Sequence, residues 1–312
     1  MRSNSGLIAA MFFMLLVLAP IAIIKQRSAE PPRSGLSVAV LSRTEGKLYR
    51  MNLEQYLEGA LAAEMPARFE LEALKAQAVA ARTLAVHRLK RFGGKGCQHW
   101  PGADFCDDPN ETQAWISVAA MKSRWGKRDF AAYYGRIRRA VRETAGLILT
   151  YQNQPIDALY HSTCGVGTAD AAEVWGKDFP YLRSVDCGFD RHSNRWQNEA
   201  AFTWRELSKR LNVPASDLRR LKVLQRSGRG RILTLSLGKT RMSGSEFRTR
   251  LGLTSNAFGW KPAPGGLQFT AIGYGHGVGL CQYGADGMAK RGWDFRRILL
   301  HYYRGVTIRK IK

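Results

Sequence analysis

The chain has 312 residues, 45% of them hydrophobic, which is enough for one large domain or two of ordinary size and makes the protein globular rather than disordered. Its 48 Lys and Arg residues against 25 Asp and Glu give a formal net charge of +23, which implies an anionic partner: nucleic acid, a phospholipid surface or a polyanionic wall. Charge alone does not choose among these partners.

The first predicted element is an apolar segment at 7–24, which carries no charge over 18 residues. Such a segment is just long enough to cross a membrane, and Arg2 supplies a positive cytoplasmic flank. Because its Ile-Ile-Lys exit lacks small residues, we expect a retained single-pass signal anchor in the cell membrane, with the domain on the extracytoplasmic side. A buried core helix is the alternative. Residues 25–35 are predicted to be a polar linker, and 36–312 one domain.

Residues 36–51 alternate around a Glu-Gly pair and predict a β-hairpin that leads into a helix. Apolar residues recur at helical spacing over 53–63 after Asn52, a suitable N-cap, and Glu64 is the next position on that stripe. Burial and the helix dipole should both raise the pKa of Glu64. Because Pro66 ends the helix at a corner that a cleft could reach, Glu64 is a candidate general acid. The alternative is that Glu64 only pairs with a basic side chain.

A second helix is predicted at 71–89, with a narrow seam of small residues that allows another element to approach closely. Lys75 and Arg82 are seven residues apart and share one side of this helix. They could pair with Glu64 or bind an oxygen-rich ligand.

Residues 91–115 break every regular pattern and are predicted to form a loop. Cys97, His99 and Cys106 could begin a zinc site in this loop, since thiolate and imidazole suit the ion, but a closed site needs a fourth ligand. A Cys97–Cys106 disulfide is the competing interpretation outside the cytoplasm. We therefore expect weak zinc binding or none, and no other cofactor.

Residues 130–144 have helical character with a basic, solvated face. Residues 147–151 and 156–162 are predicted to form a second hairpin, which ends in Tyr-His-Ser-Thr-Cys-Gly. Side chains alternate along a strand, so only one of His161 and Ser162 is expected to line a given cleft. A serine hydrolase is discounted, because catalytic triads assemble in space and not as consecutive residues.

Cys164 and Cys187 bracket a glycine-rich loop at a spacing that a disulfide could close, and we predict this bridge in an oxidising compartment. Trp175, Phe179 and Tyr181 lie within the bracketed segment and could stack on sugar rings. Aromatic residues at this density are also typical of a core.

Residues 202–265 are predicted to support the fold with two short capped helices around a basic strand, and a lobe is expected at about 190–265. The most basic stretch, 219–231, lies here. No helix-turn-helix, zinc-finger or RNA-binding signature accompanies it, so nucleic acid binding is a minor hypothesis.

The last motif interleaves four glycines with Tyr, His and Val over 273–279, before a helix that contains Gln282. Repeated glycine lets a backbone pass close to a ligand or another segment, and the spacing does not match a dinucleotide-binding fingerprint. Taken alone, His276 would be structural, and Cys281 is predicted to be a buried thiol.

Three motifs in order resemble the stage II sporulation protein D and amidase-enhancer family of bacterial cell-wall proteins, from about residue 36 to the C-terminus. The motifs are AAEMP with LEALKAQAVAART, then YHSTCG, then GHGVGLCQYGA. The resemblance implies a lytic transglycosylase that cleaves peptidoglycan glycan strands, with Glu64 as the catalytic acid/base. It also implies a role in sporulation (engulfment), with a cell-wall amidase and other membrane sporulation proteins as partners and no nucleic acid.

The same resemblance implies that the glycine motif borders the cleft of the glutamate. The candidate substrate-binding residues are then Lys75, Arg82, His161, Ser162, His276 and Gln282. In some members of the family two Cys and two His hold a metal in the loop at 97–112. This chain has Asn110, Glu111 and Thr112 where a His-Cys pair is expected, and this departure argues against the metal.

The expected fold class is α+β: a single catalytic domain of hairpins around a helical pair. Three functional hypotheses follow. The first is a glycan-cleaving enzyme, the second is a non-catalytic glycan-binding enhancer of a cell-wall amidase, and the third is a nucleic-acid-binding membrane protein.

Overall fold

The computed structural model describes residues 35–98, 100–109 and 111–311. The predicted anchor at 7–24 lies outside the described residues, as does the linker apart from Gly35. Within the described ranges no helix is both long enough and apolar enough to cross a membrane. The described residues form one compact unit of helices and small sheets, an α+β arrangement.

The helices are α1 Leu53–Glu64, α2 Leu71–Arg88, α3 Val118–Glu143, α4 Ala171–Trp175, α5 Trp204–Leu211, α6 Ala215–Leu218, α7 Gly244–Leu251, α8 Gln282–Ala289 and α9 Phe295–Tyr302, with a 3-10 turn at Lys90–Phe92. The strands are β1 Ser37–Ser42, β2 Lys47–Asn52, β3 Phe105–Cys106, β4 Leu147–Tyr151, β5 Gln154–Pro155, β6 Tyr160–His161, β7 Gln197–Thr203, β8 Leu221–Arg226, β9 Ile232–Leu237, β10 Thr240–Ser243, β11 Phe258–Ala263, β12 Gly266–Ile272, β13 Leu280–Cys281 and β14 Thr307–Lys310. They pair in small sheets with the orders β2-β1-β3, β10-β9-β8, β11-β12-β7, β13-β6 and β14-β4-β5.

The first hairpin and the helix after it form as the sequence predicts. β1 and β2 pair antiparallel, and Asn52 caps α1 through a capping box with Gln55, whose N–H donates to Asn52 Oδ1 at 2.9 Å. Met65 has φ −126° and ψ 138°, so the chain leaves helical geometry immediately before Pro66. Glu64 is therefore the last residue of the helix.

The second helix, α2, lies between two parts of the core. One set of its side chains packs with α1 and α3: Leu74, Ala78, Ala81 and Ala85. Another set packs with β4, α8 and α9: Ala73, Ala76, Val79 and Ala80. The sequence predicts one narrow seam, but alanine is small enough to let neighbours approach from both sides. The helix is thus the central support of the fold.

The predicted helix at 130–144 is the second half of a longer element. α3 begins at Val118, capped by the Ser117 hydroxyl, and is interrupted at Gly126, where φ is 68° and ψ 170°. This interruption lets the first half of α3 turn towards the end of α1.

The second predicted hairpin is shorter than expected. β4 pairs with two residues of β5 around a turn at Gln152 and Asn153, whose φ angles of 49° and 65° suit a two-residue hairpin turn. β6 leaves this sheet and pairs in parallel with β13, with His161 opposite Cys281. The prediction of a hairpin strand at 156–162 was wrong, because alternation along a strand does not reveal its partner. The parallel pairing joins two of the sequence motifs.

A third apolar cluster, separate from those around α2, occupies the region of the predicted lobe. It is formed by α5, α7, β9, β11 and β12 around Phe247, Phe258 and Phe269. The two predicted capped helices are α5 and α7, with side-chain caps from Thr203 and Ser243. This part of the chain supports the walls of the cleft described next.

Candidate active site

A cleft of about 570 Å³ opens beyond the C-terminal end of α1. Its lining is formed by residues 62–67, 124–125, 160–162, 194–195, 274–276 and 282–283. Segments of all three sequence motifs therefore meet in one place, although they are more than 200 residues apart in the chain.

Glu64 lies partly buried in this cleft. Burial raises the pKa of its carboxyl above the ordinary value, and the hydrogen bond that Oε1 accepts from the Ala114 N–H at 3.0 Å opposes the shift without reversing it. None of the ion pairs among the described residues includes Glu64. The carboxyl is therefore not held as an anion by a neighbouring cation, and the alternative interpretation of Glu64 as an ion-pair partner finds no support.

A buried relay orients the Tyr160 hydroxyl, which contacts the Glu64 carboxyl. Gln113 Nε2 donates to the Ala81 carbonyl at 3.1 Å, which fixes the orientation of the amide, and Gln113 Oε1 accepts from the Tyr160 hydroxyl at 2.8 Å. The Tyr160 hydroxyl is thus shared between Gln113 and Glu64. Its hydrogen bond to Glu64 lowers the pKa of the carboxyl, but burial has the larger effect, so the pKa stays raised.

The cleft has an unusual balance of charge. Of the described residues that line it, Glu64 alone carries a carboxyl group, while Arg124 and Arg195 bring positive charge. Glycosidases with two carboxyls keep the second one within roughly 5–9.5 Å of the first. A site with one carboxyl is suited instead to a reaction in which a single group gives a proton and then takes one back.

His276 is held by main-chain groups at both ring nitrogens. Nδ1 accepts from the Val278 N–H at 3.1 Å, and Nε2 therefore donates to the Tyr160 carbonyl at 3.0 Å. Burial lowers the pKa of His276 to about 4, so the ring is neutral near pH 7. His276 fastens the glycine motif to the strand of Tyr160 and lines the cleft with its ring, whose centroid lies 5.2 Å from that of Trp175.

His161 has one ring nitrogen without a partner. Nδ1 donates to the Val278 carbonyl at 3.1 Å, which makes Nε2 an acceptor, and this buried Nε2 finds no hydrogen-bond partner in the described part of the chain. Burial lowers the pKa of His161 well below its ordinary value. Ser162 lines the same cleft, which the predicted alternation did not allow; β6 is only two residues long, so alternation ends there.

The glycine motif passes directly over this strand. Gly275 has φ 117°, and a Cβ added to it would lie 2.8 Å from the Cβ of His161. Glycine is therefore required at that position, as the sequence predicts for a close backbone approach. Gln282, at the start of α8, is buried and contributes to the same wall.

Several lining residues were not predicted. Tyr274 and Tyr283 stand next to predicted residues, and Arg195 stacks on the Tyr274 ring with its guanidinium carbon 4.4 Å from the centroid. Trp125 and Asn194 also line the cleft, and no pattern in the sequence indicated them. Of the aromatic residues predicted to stack on sugars or to belong to the core, Trp175 is 45% exposed, whereas Phe179 and Tyr181 pack with the core.

Arg82 and Lys75 lie away from the cleft. Arg82 is fully buried and binds both carboxylate oxygens of Glu54, with Nη2–Oε2 at 2.6 Å and Nε–Oε1 at 3.0 Å. Lys75 pairs with Glu72 at 2.7 Å and with Glu143 at 2.6 Å. The structure brings neither side chain to Glu64, because nearer carboxylates bind both of them.

The predicted Cys164–Cys187 disulfide is not formed, since both residues are buried free thiols, as is Cys281. Cys164 Sγ lies 3.2 Å from Asp190 Oδ2. The three sulfur atoms and the carboxylate oxygen all lie within 4.8 Å of one another. The spacing of two cysteines could not indicate that a third arrives with the last motif.

The loop at 97–112 brings Cys97, Cys106 and Glu111 together, with the two Sγ atoms 3.7 and 3.6 Å from Glu111 Oε2. Cys106 is a free thiol, so the alternative disulfide with Cys97 is not formed. Two sulfurs and a carboxylate fit part of a zinc coordination sphere, which needs a fourth donor to close. His99 and Asn110 lie outside the described residues, and weak zinc binding or none stays a prediction for this loop.

These features define a protein with an open, basic cleft assembled from three motifs, whose described lining residues include one carboxyl group. Comparison with known proteins places it in a family. A family model described as SpoIID, stage II sporulation protein, matches residues 42–151. Stage II sporulation protein D of Bacillus amyloliquefaciens is 35% identical over 285 residues, which cover 90% of this chain and 82% of that protein.

Two further relatives agree with this result. Stage II sporulation protein D of Bacillus subtilis (strain 168) is 35% identical over 276 residues, covering 88% of this chain and 79% of that protein. The amidase enhancer of the same strain is 25% identical over 309 residues, covering 81% of this chain and 40% of that protein. The chain belongs to the SpoIID family, and the family prediction from the three motifs is confirmed.

Proposed function

We propose that this protein is a lytic transglycosylase that cleaves peptidoglycan glycan strands, with Glu64 as the general acid and then the general base. The observation that carries the proposal is the single carboxyl of the cleft, which is partly buried, has a raised pKa through burial and forms no ion pair among the described residues. Burial keeps the acid form available at higher pH, although the hydrogen bonds from Ala114 and Tyr160 oppose this shift.

In the proposed reaction, the Glu64 carboxylic acid gives its proton to the glycosidic oxygen while the bond from C1 to that oxygen breaks. The C6 hydroxyl oxygen of the same sugar then attacks C1 and closes an anhydro ring, and the Glu64 carboxylate takes the hydroxyl proton. The proton balance closes without water and without a second carboxylate. A pKa near the working pH suits a group that must both give and accept a proton.

The remaining walls supply binding. The proposed sugar contacts that line the cleft are His161, Ser162, His276 and Gln282, and the exposed ring of Tyr274 offers a surface for a sugar ring. Arg124 and Arg195 can donate to glycan oxygens and carboxylates. With a formal net charge of +23, the whole chain is attracted to an anionic wall polymer.

The decisive experiment uses purified glycan strands and mass analysis of the released products. Wild-type protein should release anhydro-ended fragments, and Glu64→Gln should fold and bind glycan but release none. Glu58→Gln is a matched control: Glu58 lies on the same helix, is buried and accepts from the Tyr134 hydroxyl at 2.6 Å, but does not line the cleft. A Glu64→Gln variant that cleaves like wild type contradicts the proposal.

A second candidate function is a non-catalytic enhancer that binds glycan and activates a cell-wall amidase. The amidase enhancer among the relatives favours it. Both functions need the cleft, but only the enzyme needs the Glu64 proton. If wild-type protein and Glu64→Gln both stimulate an amidase equally, and neither releases fragments of its own, the enhancer is the function.

We also propose that the protein acts from the extracytoplasmic face of the cell membrane during sporulation, where its partners would be glycan strands, a cell-wall amidase and other membrane sporulation proteins. The apolar segment at 7–24 is the proposed anchor. Membrane fractionation should find full-length protein in the membrane. A shortened, freely soluble mature form contradicts this proposal.

A further inference from the structure

We propose that Cys164, Cys187, Asp190 and Cys281 form a mononuclear zinc site behind the active-site cleft. All four side chains are at most 4% exposed, and their ligand atoms lie within 4.8 Å of one another. A tetrahedral zinc ion with bonds of about 2.0–2.3 Å keeps its ligand atoms roughly 3.5–3.8 Å apart. The distances from Asp190 Oδ2 to the Sγ atoms of Cys164 and Cys281, 3.2 and 3.7 Å, are close to that range.

The carboxylate of Asp190 lacks a compensating cation among the described residues. Its side chain is fully buried, its Oδ1 has no hydrogen-bond partner among the described residues, and no Lys, Arg or His in the described ranges forms an ion pair with it. A buried carboxylate is costly unless a cation compensates it. A zinc ion between Asp190 and three sulfurs supplies that compensation.

Several main-chain N–H groups donate to the proposed ligand atoms. The Gly165 N–H donates to Asp190 Oδ2 at 2.7 Å, and Cys281 Sγ accepts from the N–H groups of Cys164 and Gly284, each at 3.3 Å. The Gly284 donor belongs to the first turn of α8, whose N-terminal dipole favours a negative sulfur. Such donors orient and stabilise thiolates that bind metals.

Arg231 lies next to the proposed ligands with an uncompensated positive charge. It is buried and forms no ion pair with a carboxylate in the described part of the chain. Its Nη2 donates to the carbonyls of Cys164 and Gly167, at 2.8 and 2.9 Å. Zinc with three thiolates and one carboxylate carries a net charge of −2, because four negative ligands surround a divalent ion. The guanidinium next to Cys164 compensates part of that charge.

The short distances also exclude larger groups. An iron–sulfur cluster would hold its cysteine sulfurs farther apart, since its own iron and sulfide atoms fill the centre. Thiolates favour a soft or borderline ion over magnesium or calcium. A single zinc ion is the group that fits.

The site would join the segments that form the cleft. Cys164 follows Ser162, Cys187 and Asp190 precede Asn194 and Arg195, and Cys281 precedes Gln282. Zinc would thus fix the walls of the cleft from behind without entering it. The inference concerns metal binding and does not depend on the proposed glycan cleavage.

The test must separate this cluster from Cys97 and Cys106, so it uses the full chain in detergent with the background change Cys97→Ser/Cys106→Ser. After dialysis, elemental analysis should find one zinc per chain in this background. Adding Cys164→Ser or Cys281→Ser should remove it, and a chelator should lower the thermal midpoint of the background protein. No zinc in the background, or zinc that survives the added change, overturns the proposal.

Two further measurements remain informative if a serine variant fails to fold. Cobalt loaded into the background protein should give thiolate charge-transfer absorption and the visible bands of a tetrahedral ion, whereas an octahedral spectrum overturns the proposal. Asp190→Cys should retain the metal and increase the charge-transfer absorption by about a third, from three thiolates to four. A Cys164–Cys187 disulfide found by non-reducing peptide mapping of the wild-type protein also overturns it.

Discussion

The two ends of α1 carry buried glutamates in opposite circumstances. At the N-terminal end, Glu54 is bound through both oxygens by the fully buried Arg82. At the C-terminal end, Glu64 forms no ion pair among the described residues and meets only an N–H and a hydroxyl group at the wall of a cleft. A carboxylate bound by a buried arginine holds the fold together, whereas an acid whose pKa is raised by burial can take up and release a proton.

The largest effect on stability is expected from breaking the ion pair between Arg82 and Glu54. Arg82→Met leaves Glu54 buried without its cation, which should lower the free energy of unfolding by about 3–5 kcal/mol. Urea unfolding measures this change. Adding Glu54→Gln should recover much of the loss, because no buried charge then remains, and glycan cleavage per folded molecule should stay near wild type. If Arg82→Met alone is as stable as wild type, the structural role of the ion pair is contradicted.

Glu64, at the other end of the helix, should make the stability of the fold depend on pH. Because the pKa of folded Glu64 is raised by burial, its protonated form stabilises the fold below the unfolded value of about 4.3, and this contribution is lost as pH rises through the folded pKa. Glu64→Gln removes the titration. Between pH 4 and pH 8 the free energy of unfolding of Glu64→Gln should therefore rise relative to that of wild type. If the two free energies change equally with pH, the raised pKa is contradicted.

A smaller change should come from the relay that directs the Tyr160 hydroxyl. Gln113→Leu removes the competing acceptor, so the hydroxyl donates to the Glu64 carboxylate alone. This change should lower the pKa of Glu64 further and move the alkaline limb of the pH–rate profile to lower pH. Tyr134→Phe, which removes a hydroxyl that binds Glu58, is the control and should leave the limb in place. A shift to higher pH with Gln113→Leu would contradict the proposed direction of the Tyr160 hydrogen bond.

The smallest effect is expected at the partly exposed ion pairs that Lys75 of α2 forms with Glu72 and Glu143. The Lys75 side chain is 13% exposed, and its partners Glu72 and Glu143 are about one-third exposed. Water therefore screens these pairs, and Lys75→Met should change the free energy of unfolding by about 1 kcal/mol or less. Glycan binding should not change, because Lys75 does not line the cleft. A clear loss of glycan affinity would restore it as a substrate-binding residue.

The elements with strong local signals could be predicted from the sequence. Asn52, the apolar spacing after it and Pro66 fix α1 and the corner at Glu64, because caps and proline act on neighbouring backbone groups. The close backbone approach at Gly275 could also be predicted from the glycine motif. The motifs themselves indicated the family.

The partners of side chains and strands that lie far apart in the chain could not be predicted from the sequence. Arg82 and Lys75 share one side of a helix, but the sequence does not indicate which carboxylate each of them binds. In the folded protein Arg82 binds Glu54, and Lys75 binds Glu143. Alternation at 156–162 predicted a hairpin, whereas the strand pairs in parallel with a segment about 120 residues away. Periodicity describes which face a side chain occupies, not what faces it.

The sequence by itself determined the helix that presents Glu64, the place where that helix ends and the glycines that allow close backbone approach, because these depend on local backbone chemistry. It also determined the family of the protein, because the family follows from the order of the motifs. Only the tertiary structure decided that Arg82 binds Glu54 and that three cysteines and Asp190 converge. It also decided that main-chain groups bind His276, whereas the buried Nε2 of His161 has no hydrogen-bond partner among the described residues. The physical reason is that burial and charge pairing are set by contacts between residues far apart in the chain.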